Sequence, residues 1–142
     1  MIRGIRPLGG QPADILIDGE VIADVRACRS EGSEGPAEND VLVIDADGLI
    51  ALPGLVDLHT HLREPGREDA ETVESGTAAA ALGGFTAIHA MANTEPVADT
   101  AGVVEQVWRL GRQAGNCDVR PVGAVTTGLG GSQLAELGAM AD

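Results

Sequence analysis

Two histidines one residue apart, His59 and His61, are the side chains of this sequence best suited to chemistry. They sit in the run Asp57-Leu58-His59-Thr60-His61-Leu62-Arg63-Glu64-Pro65-Gly66. Side chains at i and i+2 of a strand share a face, so both imidazoles can point at one ion. Neutral imidazole suits a divalent transition metal such as zinc. An ion held there can polarise a carbonyl and generate hydroxide for hydrolysis. Arg63 has the same parity one step further on, just past the strand. Asp57 could steady one of the ligand histidines by a hydrogen bond. Plainer readings compete. A His-x-His pair is short enough to recur by chance, and two imidazoles are only half of a usual ligand set. Arg63 could equally be a solvated charge or the ion-pair partner of Glu64 or Glu68. The context favours the chemical reading, because an apolar strand leads into the pair and an Arg-Glu-Pro-Gly turn follows it.

The elements that must position these residues fall into two stretches. Residues 1–52 read as short strands. Residues 13–17 and 20–26 flank Asp18-Gly19, a strong two-residue hairpin signal, and residues 41–45 and 49–52 flank Asp47-Gly48. The polar run 30–39 between them reads as a surface loop. At Pro53-Gly54 the pattern changes to an alternation that implies a parallel sheet. Residues 55–58 form a strand leading into the histidines. A helix over 69–82 has Asp69 and Glu71 at its N-terminus and Gly83-Gly84 at its end. A strand over 85–91 precedes a helix from Asp99 or Thr100 to Ala114, with Val103, Val107 and Leu110 on one face and Gly115 ending it. A third strand is expected over 119–125, a Gly-rich loop over 126–131, and a third helix capped by Ser132 and still running at Asp142. The class is α/β. Three βα units suit the opening of a (β/α)8 barrel, whose active sites sit at the C-terminal ends of the strands, or half of a doubly wound sheet. A barrel takes about 250 residues, so on that reading the chain is an incomplete fragment.

Other candidates are weaker. His89 lies within the second strand and reads as a packed or hydrogen-bonded histidine rather than a third ligand. Glu64 and Asp69 read as solvated loop carboxylates. Thr126 and Thr127 follow the third strand and could line its mouth. The stretch 128–131 lacks the lysine and the spacing of a phosphate loop. Cys28 and Cys117 belong to no metal or redox spacing and read as reduced structural thiols, with one disulfide as the alternative. Phe85 and Trp108 are the only aromatic residues, so the core must be built from Val, Leu, Ile and Ala packed closely with Gly. The net charge of −13 opposes binding to nucleic acid, whose phosphates it would repel. No apolar run follows a basic start and none is long enough to span a bilayer, so a cytoplasmic protein with neither signal peptide nor membrane span is expected.

The motif is also specific to a family. The stretch Pro53-Gly54-Leu55-Val56-Asp57-Leu58-His59-Thr60-His61 resembles the first barrel strand of the amidohydrolase superfamily, and Leu62-Arg63-Glu64-Pro65-Gly66 resembles dihydroorotases in particular. Gly76, residues 78–81, Gly83-Gly84-Phe85-Thr86 and Met91-Ala92-Asn93-Thr94 with Pro96-Val97 follow the same pattern. The Asp18-Gly19 hairpin and Asp45-Ala46-Asp47-Gly48 resemble the strands such enzymes place before the barrel. The resemblance implies the N-terminal part of a small β-sandwich module over 1–52 and the first βα units of a TIM-type barrel over 53–142. It implies a zinc-dependent cyclic amidohydrolase that interconverts N-carbamoyl-L-aspartate and L-dihydroorotate in pyrimidine synthesis. His59 and His61 would be metal ligands, for one or two zinc ions. Arg63 and Asn93 would hold the substrate carboxylate, although Asn93 could simply form a turn beside Thr94.

The sequence departs from the family pattern in three places. Ala92 stands where many relatives have proline. All nine basic residues are arginine, so the carboxylated lysine that bridges two metals in many amidohydrolases is absent. The aspartate that replaces it in some dihydroorotases, the remaining histidine ligands and the aspartate serving as general acid/base would all lie beyond Asp142. No catalytic acid/base is therefore expected within these residues, and the isolated chain is expected to be inactive. The expected partner is the small-molecule substrate, with a homo-oligomer or an association with aspartate carbamoyltransferase as further options. Allantoinase, hydantoinase and a non-catalytic dihydroorotase-like scaffold are the competing readings. Arg63 favours a substrate with a free carboxylate, and the presence of His59, His61, Arg63 and Asn93 counts against the scaffold.

Overall fold

The computed structural model describes residues 1–28 and 41–141, and the loop expected over 30–39 lies outside them. The chain forms two compact units, Met1–Pro53 and Gly54–Asp142. Among the described residues no helix is long and apolar enough to cross a membrane.

The first unit is a five-stranded sheet of β1 (Ile2–Pro7), β2 (Ala13–Asp18), β3 (Val21–Ala27), β4 (Ile44–Asp45) and β5 (Ile50–Ala51). The Asp18-Gly19 turn closes β2 onto β3 antiparallel, with Gly19 in the left-handed conformation such a turn requires. β1, which the sequence pattern did not announce, is the organising strand. It pairs antiparallel with β2, while β4 and β5 lie one after the other along its other edge, both parallel to it. The β1–β2 register breaks between Ile2 and Ile5, where Gly4 has φ +73°. The buried carboxylate of Asp14 accepts the Gly4 N–H there at 3.0 Å, satisfying a donor that the interrupted ladder leaves over. Ile5, Ile15 and Ala46 form the core of this unit.

The second unit is a parallel sheet in the order β6 (Leu55–Thr60), β7 (Phe85–Ala90), β8 (Asp118–Pro121). The helices α1 (Val73–Leu82) and α2 (Ala101–Ala114) alternate with these strands. Leu62, Val73, Ile88, Ala90, Val107 and Val119 form the core between helices and sheet. Close approach replaces bulk here: a Cβ on Gly111 of α2 would stand 2.5 Å from the Val119 Cβ.

α1 begins four residues later than the acidic residues suggested. Thr72 is its N-cap, in a reciprocal capping box with Ser75, and the Glu64 carboxylate accepts the Val73 N–H at 2.7 Å. Asp69 pairs instead with Arg67 in the preceding turn. α2 begins after Thr100 and ends on left-handed Gly115 as expected, although Thr100 makes no side-chain cap. The third strand, expected over 119–125, runs Asp118–Pro121, with one further bond to β7 from the Val122 N–H to the Ala90 carbonyl at 2.8 Å. The third helix, α3 (Leu137–Ala141), does not start at Ser132. Bonds from Thr127 N–H to the Gln133 carbonyl and from Ala135 N–H to the Val125 carbonyl hold 133–135 extended against 125–127.

Candidate functional site

β6 delivers the histidines. Backbone bonds to β7 fix its C-terminal end, and the last of them runs from the Met91 N–H to the Thr60 carbonyl at 2.9 Å, so the two strands end side by side. His59, the penultimate residue of β6, and His61, just beyond its end, both expose their rings. The ring centroids are 5.1 Å apart and the planes meet at 69°. Among the described residues no group of three or more His, Cys, Asp or Glu side chains gathers as a metal site, and two imidazoles alone are half of a usual ligand set.

The side chains around the pair are partnered differently from what parity suggests. Asp57 does not reach an imidazole: its Oδ1 accepts the backbone N–H of His59 at 2.9 Å and braces the strand end. The partner of the His61 ring is Asn93, three residues beyond the end of β7, with Nδ1 of His61 2.8 Å from Oδ1 of Asn93. Sequence reasoning placed His61 and Asn93 at successive strand ends but did not foresee this bond. The available signal was the parallel pairing of the two strands. His89 is not brought to the pair. Its Nδ1–H donates to the Asp57 carbonyl at 3.4 Å, the hydrogen-bonded histidine expected from its position within the strand.

Arg63 is half-buried in the turn that follows, with φ +60°, in the left-handed region that side-chain-bearing residues seldom adopt. Both carboxylates that could have neutralised it are occupied by backbone donors. Glu64 accepts from Val73 and Glu68 accepts from Gly66 at 2.8 Å. That bond and the Glu68 backbone N–H hold the Glu68 carboxyl below the usual carboxylate range. Asp69 is held low by the hydrogen bond and charge of Arg67, whose own guanidinium is correspondingly harder to deprotonate. Among the described residues the Arg63 guanidinium has no ion pair or side-chain hydrogen bond.

The loops after β6 and β7 are joined main chain to main chain. Glu95 N–H donates to the Pro65 carbonyl at 2.9 Å, and Gly66 packs so closely on the Glu95 backbone that no Cβ would fit. The loop after β8 is tied in by bonds from Ala124 N–H to the Ala98 carbonyl and from Gly128 N–H to Asp99 Oδ2, both 2.7 Å. Thr126 spends its hydroxyl inside its own loop, accepting from Gly131 N–H at 3.1 Å. Both cysteines are free. Desolvation and the neighbouring Asp14 push the Cys28 thiol up, and desolvation does the same to Cys117.

Three comparisons place this arrangement. A family model described as dihydro-orotase-like matches residues 48–142, and the chain belongs to that family. It is similar over 99% of its length to the dihydroorotases of Streptomyces coelicolor (64% identical, 31% of that protein covered) and Mycobacterium leprae (56% identical, 32% covered). The chain thus spans about a third of the length of the curated relatives it matches. Among solved structures it is similar to the L-hydantoinase (dihydropyrimidinase) from Arthrobacter aurescens. That match has a TM-score of 0.71 and 25% identity, and covers 88% of this chain and 27% of that one. The fold is accordingly a mixed α/β arrangement similar to that of a cyclic amidohydrolase.

Proposed function

We propose that this chain supplies the first metal ligands and the substrate-carboxylate contacts of a dihydroorotase, an enzyme that interconverts N-carbamoyl-L-aspartate and L-dihydroorotate in pyrimidine synthesis. The observation that carries this reading is the Arg63 guanidinium in the turn just after His59 and His61, without an ion pair or side-chain hydrogen bond among the described residues and with both neighbouring glutamates committed to backbone donors. A guanidinium without a partner among the described residues, two residues beyond His61 in the chain, suits a substrate whose carboxylate takes no part in the chemistry.

The donor set fits zinc in kind, as two exposed imidazoles with ring centroids 5.1 Å apart. A bound zinc ion would polarise the scissile carbonyl and provide hydroxide in the hydrolytic direction. The residues of the chain do the rest. His59 and His61 hold the ion's position at the end of β6. Arg63 takes the carboxylate bidentately, and Asn93 adds amide hydrogen bonds to it, which orients the ring to be opened or closed. Gly54–Asp142 is then the opening of a (β/α)8 barrel, and Met1–Pro53 the first part of a β-sandwich module. The remaining ligands and the general acid/base belong to strands that these residues do not include, so the isolated chain is expected to show no turnover. A cytoplasmic setting follows from the pathway. The hydantoinase reading draws support from the structural similarity, but Arg63 favours the substrate with a free carboxylate.

The test is steady-state kinetics on the full-length protein with dihydroorotate and with hydantoin or allantoin. Turnover of dihydroorotate that falls when both His59 and His61 are replaced by Ala is expected. Preferred turnover of an uncharged cyclic amide would reject the assignment.

A further inference from the structure

The amide of Asn93 meets the ring of His61, and its geometry separates two roles that one side chain can fill together. Its Oδ1 lies 2.8 Å from Nδ1 of His61. An amide oxygen carries no proton, so the proton of this bond belongs to the imidazole. His61 is thereby held as the Nδ1–H tautomer, with the lone pair on Nε2. That is the form in which a histidine can ligate through Nε2, and a hydrogen-bond acceptor on the opposite nitrogen also stops the ring from turning. The Nδ2 of the same amide keeps two donors that this bond does not use.

The place of Asn93 is held by its neighbours rather than by its own contacts. Ala92 and Thr94, on either side, are buried. The Ala92 carbonyl accepts from Ala98 N–H at 3.0 Å, and the Thr94 hydroxyl donates to the Pro96 carbonyl at 2.8 Å. Met91 is bonded to Thr60 and Glu95 to Pro65, so the segment carrying Asn93 is pinned at both ends to the segment carrying His61. The amide is therefore presented to the imidazole by a backbone that does not depend on ligand.

We infer that Asn93 is a positioning residue for the metal-binding imidazole of His61 as well as a contact for the substrate carboxylate, so that a single amide couples ligand orientation to substrate recognition. The inference rests on the metal-centre reading above and adds to it a role for a side chain that would not touch the metal.

The test uses full-length protein stripped of metal and zinc added in competition with a chromophoric chelator. Asn93→Ala is expected to weaken zinc binding about 10- to 100-fold. In the metal-free protein it is expected to remove the Nδ1–H tautomer of His61 seen in imidazole ¹⁵N spectra. Asn93→Asp, which can only accept, is expected to keep that tautomer and to bind zinc at least as well as the native protein. It should nevertheless raise the KM for dihydroorotate, because a carboxylate now faces the substrate's own. Zinc affinity and tautomer unchanged in Asn93→Ala would overturn the inference and leave Asn93 as a substrate contact alone. Loss of zinc binding in Asn93→Asp as severe as in Asn93→Ala would overturn it as well. A His59→Ala/His61→Ala protein separates the two levels. If it binds zinc like the native protein the metal centre is misplaced and the inference falls with it, whereas weakened binding there leaves the Asn93 variants to decide.

Discussion

Arg63 combines a guanidinium that has no ion pair or side-chain hydrogen bond among the described residues with a left-handed backbone, and the two features make opposite demands that substitution can separate. Arg63→Ala removes the guanidinium but keeps a Cβ at φ +60°. Since no ion pair or side-chain hydrogen bond is lost among the described residues, stability should stay within about 0.5 kcal/mol of the native protein. Arg63→Gly removes the Cβ as well. Relief of the left-handed conformation is worth about 1–2 kcal/mol, and the extra freedom of glycine in the unfolded chain takes back about 0.5–1 kcal/mol. The glycine variant should therefore be the more stable of the two by about 0.5–1 kcal/mol. Function should move the other way in both. Losing charge-assisted bonds to a carboxylate removes about 1.5–3 kcal/mol of binding, which corresponds to a KM for dihydroorotate raised roughly 10- to 150-fold. Urea denaturation midpoints of the full-length variants and steady-state kinetics on the same preparations read the two quantities. A glycine variant less stable than the alanine variant would refute the strain argument. An unchanged KM in either would refute the carboxylate role.

Two further outcomes follow from the packing and from the turn. Gly111→Ala should destabilise by about 1–2 kcal/mol, because overpacking against Val119 at 2.5 Å outweighs the gain in helix propensity. Gly102→Ala in the same helix meets nothing within 4 Å and should stabilise by up to about 1 kcal/mol; denaturation midpoints that move in the same direction would contradict the packing. In the turn before α1, Asp69 is depressed by Arg67, so this pair's contribution is present at neutral pH and is lost as the pH falls through the folded-state value of Asp69, below the ordinary carboxylate range. Carboxyl NMR titration of Arg67→Ala should show Asp69 returning upward towards that range, and an unmoved titration would exclude Arg67 as the cause.

What the sequence made legible divides along the range of the interactions involved. The β2–β3 hairpin, α2 with its Gly115 stop and the strand into the histidines were readable because a turn dipeptide, an amphipathic period and an apolar run are local signals. β1 was not, because Ile2–Pro7 carries two arginines, a glycine and a proline, and becomes a strand only through partners 13–51 that follow it in the chain. The start of α1 was misjudged because two acidic residues were weighed above a reciprocal Thr72–Ser75 cap, while Arg67 draws Asp69 into the turn. The expected helix after Ser132 loses its first residues to a bridge between Thr126 and Leu134 that no local pattern announces.

The site divides in the same way. That the His59 and His61 rings are neighbours was legible in their spacing, but their surroundings follow from which strand lies beside β6 and in what register. Parity nominated Asp57 as the residue to steady a ligand, whereas pairing with β7 gives that place to Asn93, thirty-two residues from His61 in the chain, and turns Asp57 to the backbone. The loops that carry Arg63 and Asn93 are joined through main-chain bonds, Thr60 to Met91 and Pro65 to Glu95, and through the bare backbone of Gly66. Their alignment therefore depends little on the side chains that would do the chemistry. His61 and Asn93 are exposed and Arg63 has no ion pair or side-chain hydrogen bond among the described residues, so the core does not fix what they are. A scaffold built this way can keep its geometry while the exposed side chains at its strand ends change. On the reading proposed above, Arg63 is the residue that would separate a cyclic amide with a free carboxylate from one without.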